Sequence, residues 1–170
     1  MNVPNILTAI RFLLIPIFGY FLNIEQYYIA VLLFLIGGIT DVLDGYIARK
    51  FNLITSFGKL ADPLADKLMQ ITALVLLTTK EMIPPVILII VVAKEAFMAA
   101  GSILLYRQDK VVVSASWYGK LATVVFYFAI VMIIFKGPFN QIFIVLAVLA
   151  TLFAFTMYSL TYKKIKMSSK

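Results

Sequence analysis

Six runs of roughly 20 mainly apolar residues follow one another along this chain, each long enough to cross a bilayer as a helix. They fall near 5–22, 28–49, 59–79, 83–106, 116–136 and 140–161. Short polar breaks separate them at Asn23–Tyr27, Lys50–Gly58, Lys80–Met82, Arg107–Ala115 and Gly137–Asn140. Lipid offers no hydrogen-bond partners, so a chain patterned this way is expected to be all-α, an integral membrane protein with six transmembrane helices. Composition agrees: 63% of residues are hydrophobic and 14% charged, where a soluble domain has about 45–50% and about 25%. With 170 residues and no internal repeat, one domain over 1–170 is expected.

The distribution of Lys and Arg predicts the orientation. One side collects Arg49, Lys50, Lys59, Arg107, Lys110, Lys163, Lys164, Lys166 and Lys170, whereas the other has only Lys80 and Lys136, offset by Glu25 and Glu81. Both termini and the two longer loops are therefore expected in the cytoplasm. The net charge of +7 reads as this topology signal plus contact with anionic membrane lipids, with no nucleic-acid partner. The opening MNVPNILTAIR has no basic leader and is interrupted by Arg11, so it is expected to be a retained first helix rather than a removed signal peptide.

The chain has neither Cys nor His. Disulfides, Cys/His zinc sites and imidazole acid–base chemistry are thereby excluded. What remains is concentrated between Asp41 and Asp66, which holds four of the eight carboxylates. Asp41 and Asp44 are three apart, and Asp62 and Asp66 four apart, so each pair occupies one helix face about one turn apart. Four carboxylates converging from two helices repel one another unless cations lie between them. An all-oxygen donor set favours Mg2+ or Mn2+, which also leaves room for phosphate. Gly45 and Ala48 share the face of the first pair, either for close helix packing or to make room for a ligand. Arg49 follows by about one turn as a phosphate-binding guanidinium. Two other readings compete: acids that only cap helices at the interface, and a cation or proton path in a transporter.

Elsewhere the signals divide more evenly. Asn5, Thr8 and Arg11 near the start of the first helix read either as an N-cap, a back-bonding hydroxyl and a snorkelling arginine or, with equal weight, as functional residues. Lys94-Glu95, near the middle of the fourth helix, reads as an internal ion pair or as a cationic site receiving an anionic substrate. Lys120 reads as a second cation for that site or as an interfacial lysine.

The pattern Asp41-x2-Asp44-Gly45-x2-Ala48-Arg49-x8-Gly58-x3-Asp62-x3-Asp66 resembles the signature of the CDP-alcohol phosphatidyltransferases at every fixed position. That resemblance implies attack of an acceptor hydroxyl on the phosphorus of CDP-diacylglycerol, with release of CMP. It implies that Asp41, Asp44, Asp62 and Asp66 bind two Mg2+ or Mn2+ ions and that Asp66 also serves as the catalytic base. Asn5, Thr8, Gly45, Arg49 and Thr55 are implied to hold CDP-diacylglycerol, and Lys94 and Lys120 a glycerol-type acceptor. A homodimer in a cell membrane, bacterial in type and with its site facing the cytoplasm, is also implied. Within the family, PNILTAIR and the motif loop look most like bacterial phosphatidylglycerophosphate synthases, whose acceptor is glycerol 3-phosphate. Three cationic positions of that group are here Lys94 for Arg, Ser102 for Arg and Ala122 for Lys. These departures resemble eukaryotic-type cardiolipin synthases, which accept phosphatidylglycerol.

Overall fold

The computed structural model describes residues 2–109, 117–137 and 139–168. Within these, side chains are described except for Ser56, Lys59, Lys120 and the stretches 101–109, 117–118 and 161–168. Six helices follow in order: α1 Val3–Asn23, α2 Tyr27–Lys50, α3 Ser56–Thr79, α4 Pro85–Asp109, α5 Trp117–Ile134 and α6 Asn140–Ser168. No strand occurs among the described residues, and the six apolar runs coincide with the six helices to within a few residues at most ends. The loop at Arg107–Ala115 lies largely outside the described residues.

The helices end in a way the usual signals do not announce. After α1, α3 and α5 the chain turns through Glu25 (φ 64°), Glu81 (φ 58°) and Lys136 (φ 49°), with left-handed backbone at non-glycine residues. Paired bonds close each turn, for example Glu81 N to Thr78 O at 3.0 Å and Met82 N to Leu77 O at 2.9 Å. This is the Schellman arrangement, for which glycine is the usual choice. Here a charged residue accepts the strain.

The helices form two compact units, Met1–Ile83 and Pro84–Lys170. In the first, α1 packs mainly on α2 and then on α3. Phe18, Leu22, Phe34, Met69 and Leu77 are fully buried there, and the rings of Phe18 and Phe34 meet at 5.4 Å. A Cβ on Gly37 would stand 2.8 Å from the Met69 methyl, so its absence lets α2 approach α3 at that level. Pro16 and Pro63 lie within the continuous helices α1 and α3. In the second unit α5 runs along α6, with Phe126, Ala129, Ile130, Ile133 and Ile134 buried.

Among the described residues, three stretches are long and apolar enough to cross a membrane: Val3–Asn23, Tyr27–Lys50 and Asn140–Leu160. Leu121–Ile134 is apolar but shorter. The first half of α3 carries Lys59, Asp62, Asp66 and Lys67, so its polarity sets it apart from its neighbours. Large apolar side chains such as Leu13, Leu60, Phe97 and Val124 are exposed. An aqueous surface would not tolerate so much of this; a lipid one requires it. The molecule is a helical membrane protein.

Candidate active site

The polar residues of the first unit meet where one end of α1 faces the acids of α2 and α3. Arg11 is fully buried. Its Nη1 donates to Asp41 Oδ1 at 2.7 Å, and its Nη2 donates to Asp44 Oδ2. A longer contact of 3.5 Å runs from Nη1 to the main-chain oxygen of Asp62. Asp44 is buried and Asp41 partly open, with side-chain exposures of 2% and 37%. The snorkelling expected of Arg11 is therefore replaced by a buried double ion pair. A guanidinium satisfies this site because it presents two donors in a rigid fork and stays charged. Breaking such a pair from one side leaves an uncompensated buried charge.

Three residues earlier on α1, the Thr8 hydroxyl lies 3.0 Å from the Pro4 carbonyl and also against Asp62 Oδ1. The back-bonding expected of Thr8 is present, together with a link to α3. Asn5 is not the N-cap of α1, a position taken by Asn2. Its Oδ1 instead accepts from the Thr55 hydroxyl at 2.9 Å, and that hydroxyl accepts from Gly58 N at 2.9 Å as the N-cap of α3. A Cβ on Gly58 would lie 3.2 Å from Thr55 Oγ1, 3.3 Å from Asn5 Oδ1 and 3.4 Å from Asp62 Oδ2. Three oxygens from two helices and a cap thus surround one bare backbone position.

Asp66 stands one turn beyond Asp62. Both its oxygens lie 3.3 Å from Gln70 Nε2, and Lys67 Nζ is 3.4 Å from Oδ2. Asp41 lies within electrostatic range of both Asp62 and Asp66, and Asp44 within range of Asp62. Among the described residues, however, no three acids come close enough together to form a ligand cluster by themselves. Arg11 and Thr8 stand between them. As donors the four carboxylates suit a hard divalent cation, and Arg11 touches only one oxygen each of Asp41 and Asp44. The chemistry of the set fits such an ion.

Arg49 folds back along α2: its guanidinium nitrogens lie 3.3 and 3.4 Å from where a Gly45 Cβ would be. The space left by Gly45 is thus bordered by the cation. Lys50 lies over the rings of Tyr46 and Phe51 at 5.3 and 5.7 Å.

In the second unit Lys94 Nζ pairs with Glu95 Oε1 at 2.5 Å, the internal pair that was one of its two readings. The side chains of Ser102 and Lys120 lie outside the described residues. Ala122 is buried and lines an apolar groove of about 340 Å3 with Leu121, Val125, Leu146, Leu149, Ala150 and Phe153. Arg11 is what sequence reasoning missed. Its helical spacing of three from Thr8 was the available signal, since it places both side chains on one face of α1.

Residues 1–153 match the CDP-alcohol phosphatidyltransferase family, and the chain belongs to it. Members of that family generally use a divalent metal. The CDP-diacylglycerol--glycerol-3-phosphate 3-phosphatidyltransferase of Aquifex aeolicus is 36% identical over 125 residues, covering 72% of this chain and 70% of that protein. Proteins of the same name from Rickettsia felis and Haemophilus influenzae are 46% identical over 83 residues and 49% over 79. Those matches cover 47% and 45% of this chain and 46% and 43% of the relatives, so the chain spans about half the length of these relatives.

Proposed function

We propose that this chain transfers a phosphatidyl group from CDP-diacylglycerol to a hydroxyl of glycerol 3-phosphate, forming phosphatidylglycerophosphate in phospholipid synthesis. The observation that carries the reading is the single polar cluster in which Asn5, Thr8 and Arg11 of α1 meet Asp41, Asp44, Asp62 and Thr55. The names of the relatives support the donor and the acceptor.

In this reading Asp41, Asp44, Asp62 and Asp66 would hold two Mg2+ or Mn2+ ions. When bound, such ions offset charge on the pyrophosphate and on the leaving phosphate. Asn5, Thr8 and Thr55 present polar groups to the CDP moiety, while Arg49, beside Gly45, pairs with a phosphate. Asp66 takes the proton of the acceptor hydroxyl, whose oxygen forms a bond to the lipid-linked phosphorus. The bond from that phosphorus to the CMP oxygen breaks, and CMP leaves. Lys94 and Lys120 meet the acceptor phosphate. All six helices cross the membrane with both termini and the site on the cytoplasmic side, and two copies of the chain associate as a homodimer.

A second reading is favoured by two observations in α4 and α5. Lys94 is already paired with Glu95, and Ala122 lines an apolar groove. A paired lysine and an apolar groove suit an acceptor of lower charge, phosphatidylglycerol, with cardiolipin as product.

Purified protein given CDP-diacylglycerol and each acceptor separately, with products resolved by mass, tests both readings. Phosphatidylglycerophosphate is the expected product; cardiolipin formation without turnover of glycerol 3-phosphate would replace the first reading with the second. CMP release is expected to disappear in Asp66→Asn, and undiminished release would remove Asp66 as the base.

A further inference from the structure

We infer that Arg11 is a positioning residue for the metal-binding carboxylates, gripping one oxygen each of Asp41 and Asp44 and presenting their opposite oxygens to a divalent cation. The inference rests on the reading above in taking those two aspartates as ligands.

The geometry is specific. Nη1 engages Asp41 Oδ1 at 2.7 Å, and Nη2 engages Asp44 Oδ2. The two nitrogens belong to one rigid plane, so together they fix the relative orientation of two carboxylates one turn apart on α2. Arg11 touches neither Asp41 Oδ2 nor Asp44 Oδ1. Its Nε is buried with no acceptor, so the placement favours the carboxylates over the arginine's own hydrogen-bonding capacity. It is wholly shielded, and its ion pairs among the described residues are these two alone. An always-charged group in that setting has no alternative site to move to when a cation arrives. It therefore stays, and the cation binds beside it.

Two effects of Arg11 on metal affinity oppose one another. Its charge repels a cation, whereas its hold on the carboxylates orders the ligands before the cation binds. Loss of an outer-shell partner typically weakens metal binding about 10–100-fold, which makes ordering the larger effect.

The test is Mn2+ affinity measured by paramagnetic resonance on the full chain in detergent, with wild type, Arg11→Gln and Arg11→Lys compared. Arg11→Gln is expected to bind Mn2+ at least about 10-fold more weakly. Arg11→Lys, which keeps the charge but loses the fork, is expected to be weakened as well. Tighter or unchanged binding in Arg11→Gln, or wild-type affinity in Arg11→Lys, would overturn the proposal. A measurement on wild type alone covers the case in which neither variant folds. The Arg11 Nη protons, followed by nitrogen-15 resonance, should remain slow to exchange before and after saturating Mg2+; their release by Mg2+ would show a displaced counter-ion and overturn the proposal. Wild-type protein that binds no Mn2+ would sink the metal reading and this one together, whereas wild-type binding with unaffected variants would sink this one alone.

Discussion

The two helical units solve the same packing problem with opposite chemistry. Between α1, α2 and α3 the interior holds Arg11, Asp44, Thr8 and Gln70, and between α5 and α6 it holds Phe126, Ile130, Ile133 and Ile134 with Thr151. Burial of charge in the first unit is sustained by mutual pairing, since Arg11 alone bridges two acids. Burial between α5 and α6 is almost wholly apolar and tolerates a groove at Ala122; the ion pair of that unit, Lys94–Glu95, lies on α4. One unit thus keeps paired charges in its interior and the other an oily groove. That separation costs stability where the charges are, because each partner removed leaves another stranded.

Asp44→Ala strikes at this difference most directly. It leaves Arg11 with one carboxylate and is expected to cost about 3–5 kcal/mol, read as a large fall in thermal midpoint in detergent, with loss of CMP release. The converse experiment puts a charge into the oily unit. Ala122→Lys overfills a buried groove position and is expected to cost about 1–3 kcal/mol, while raising turnover with glycerol 3-phosphate relative to phosphatidylglycerol. An unaltered acceptor ratio would dissociate this groove from acceptor choice. Thr55→Ala removes the α3 cap and is expected to cost about 1 kcal/mol, with a weaker affinity for CDP-diacylglycerol measured by calorimetry. The smallest effect is expected at the turns after α1 and α3, where Lys80 and Glu25 pair at 3.2 Å with Glu25 well exposed. Glu25→Gln should change stability by less than about 1 kcal/mol; a change as large as that of Asp44→Ala would mean that buried pairing is not what distinguishes the first unit.

The sequence made the helices legible because the breaks between them are charged. Asn23–Tyr27 and Lys80–Met82 were readable without glycine at either helix end, and α1 and α3 stop within a residue or so of them. The acids were readable from their spacing, since carboxylates in such an apolar chain have few structural uses. Arg11 was not readable in the same way. Its partners are 30 and 33 positions away, and a lone arginine near a helix end ordinarily reaches for the interface. Nothing in the local pattern around the acids points to the cation that meets two of them. Thr55 was singled out only through the family resemblance; its role as the cap of α3 was not, and its second partner, Asn5, lies 50 positions earlier.

The Thr55 hydroxyl serves two helices at once, closing the first turn of α3 through Gly58 N and donating to Asn5 on α1. It therefore acts as a register pin. A slip of α3 by one turn along α1 would move Asp62 and Asp66 by about 5.4 Å along the helix axis, away from the Thr8 and Arg11 side chains that meet Asp62. A single hydroxyl shared between a cap and a neighbouring helix fixes the level at which the carboxylates of α3 face α1.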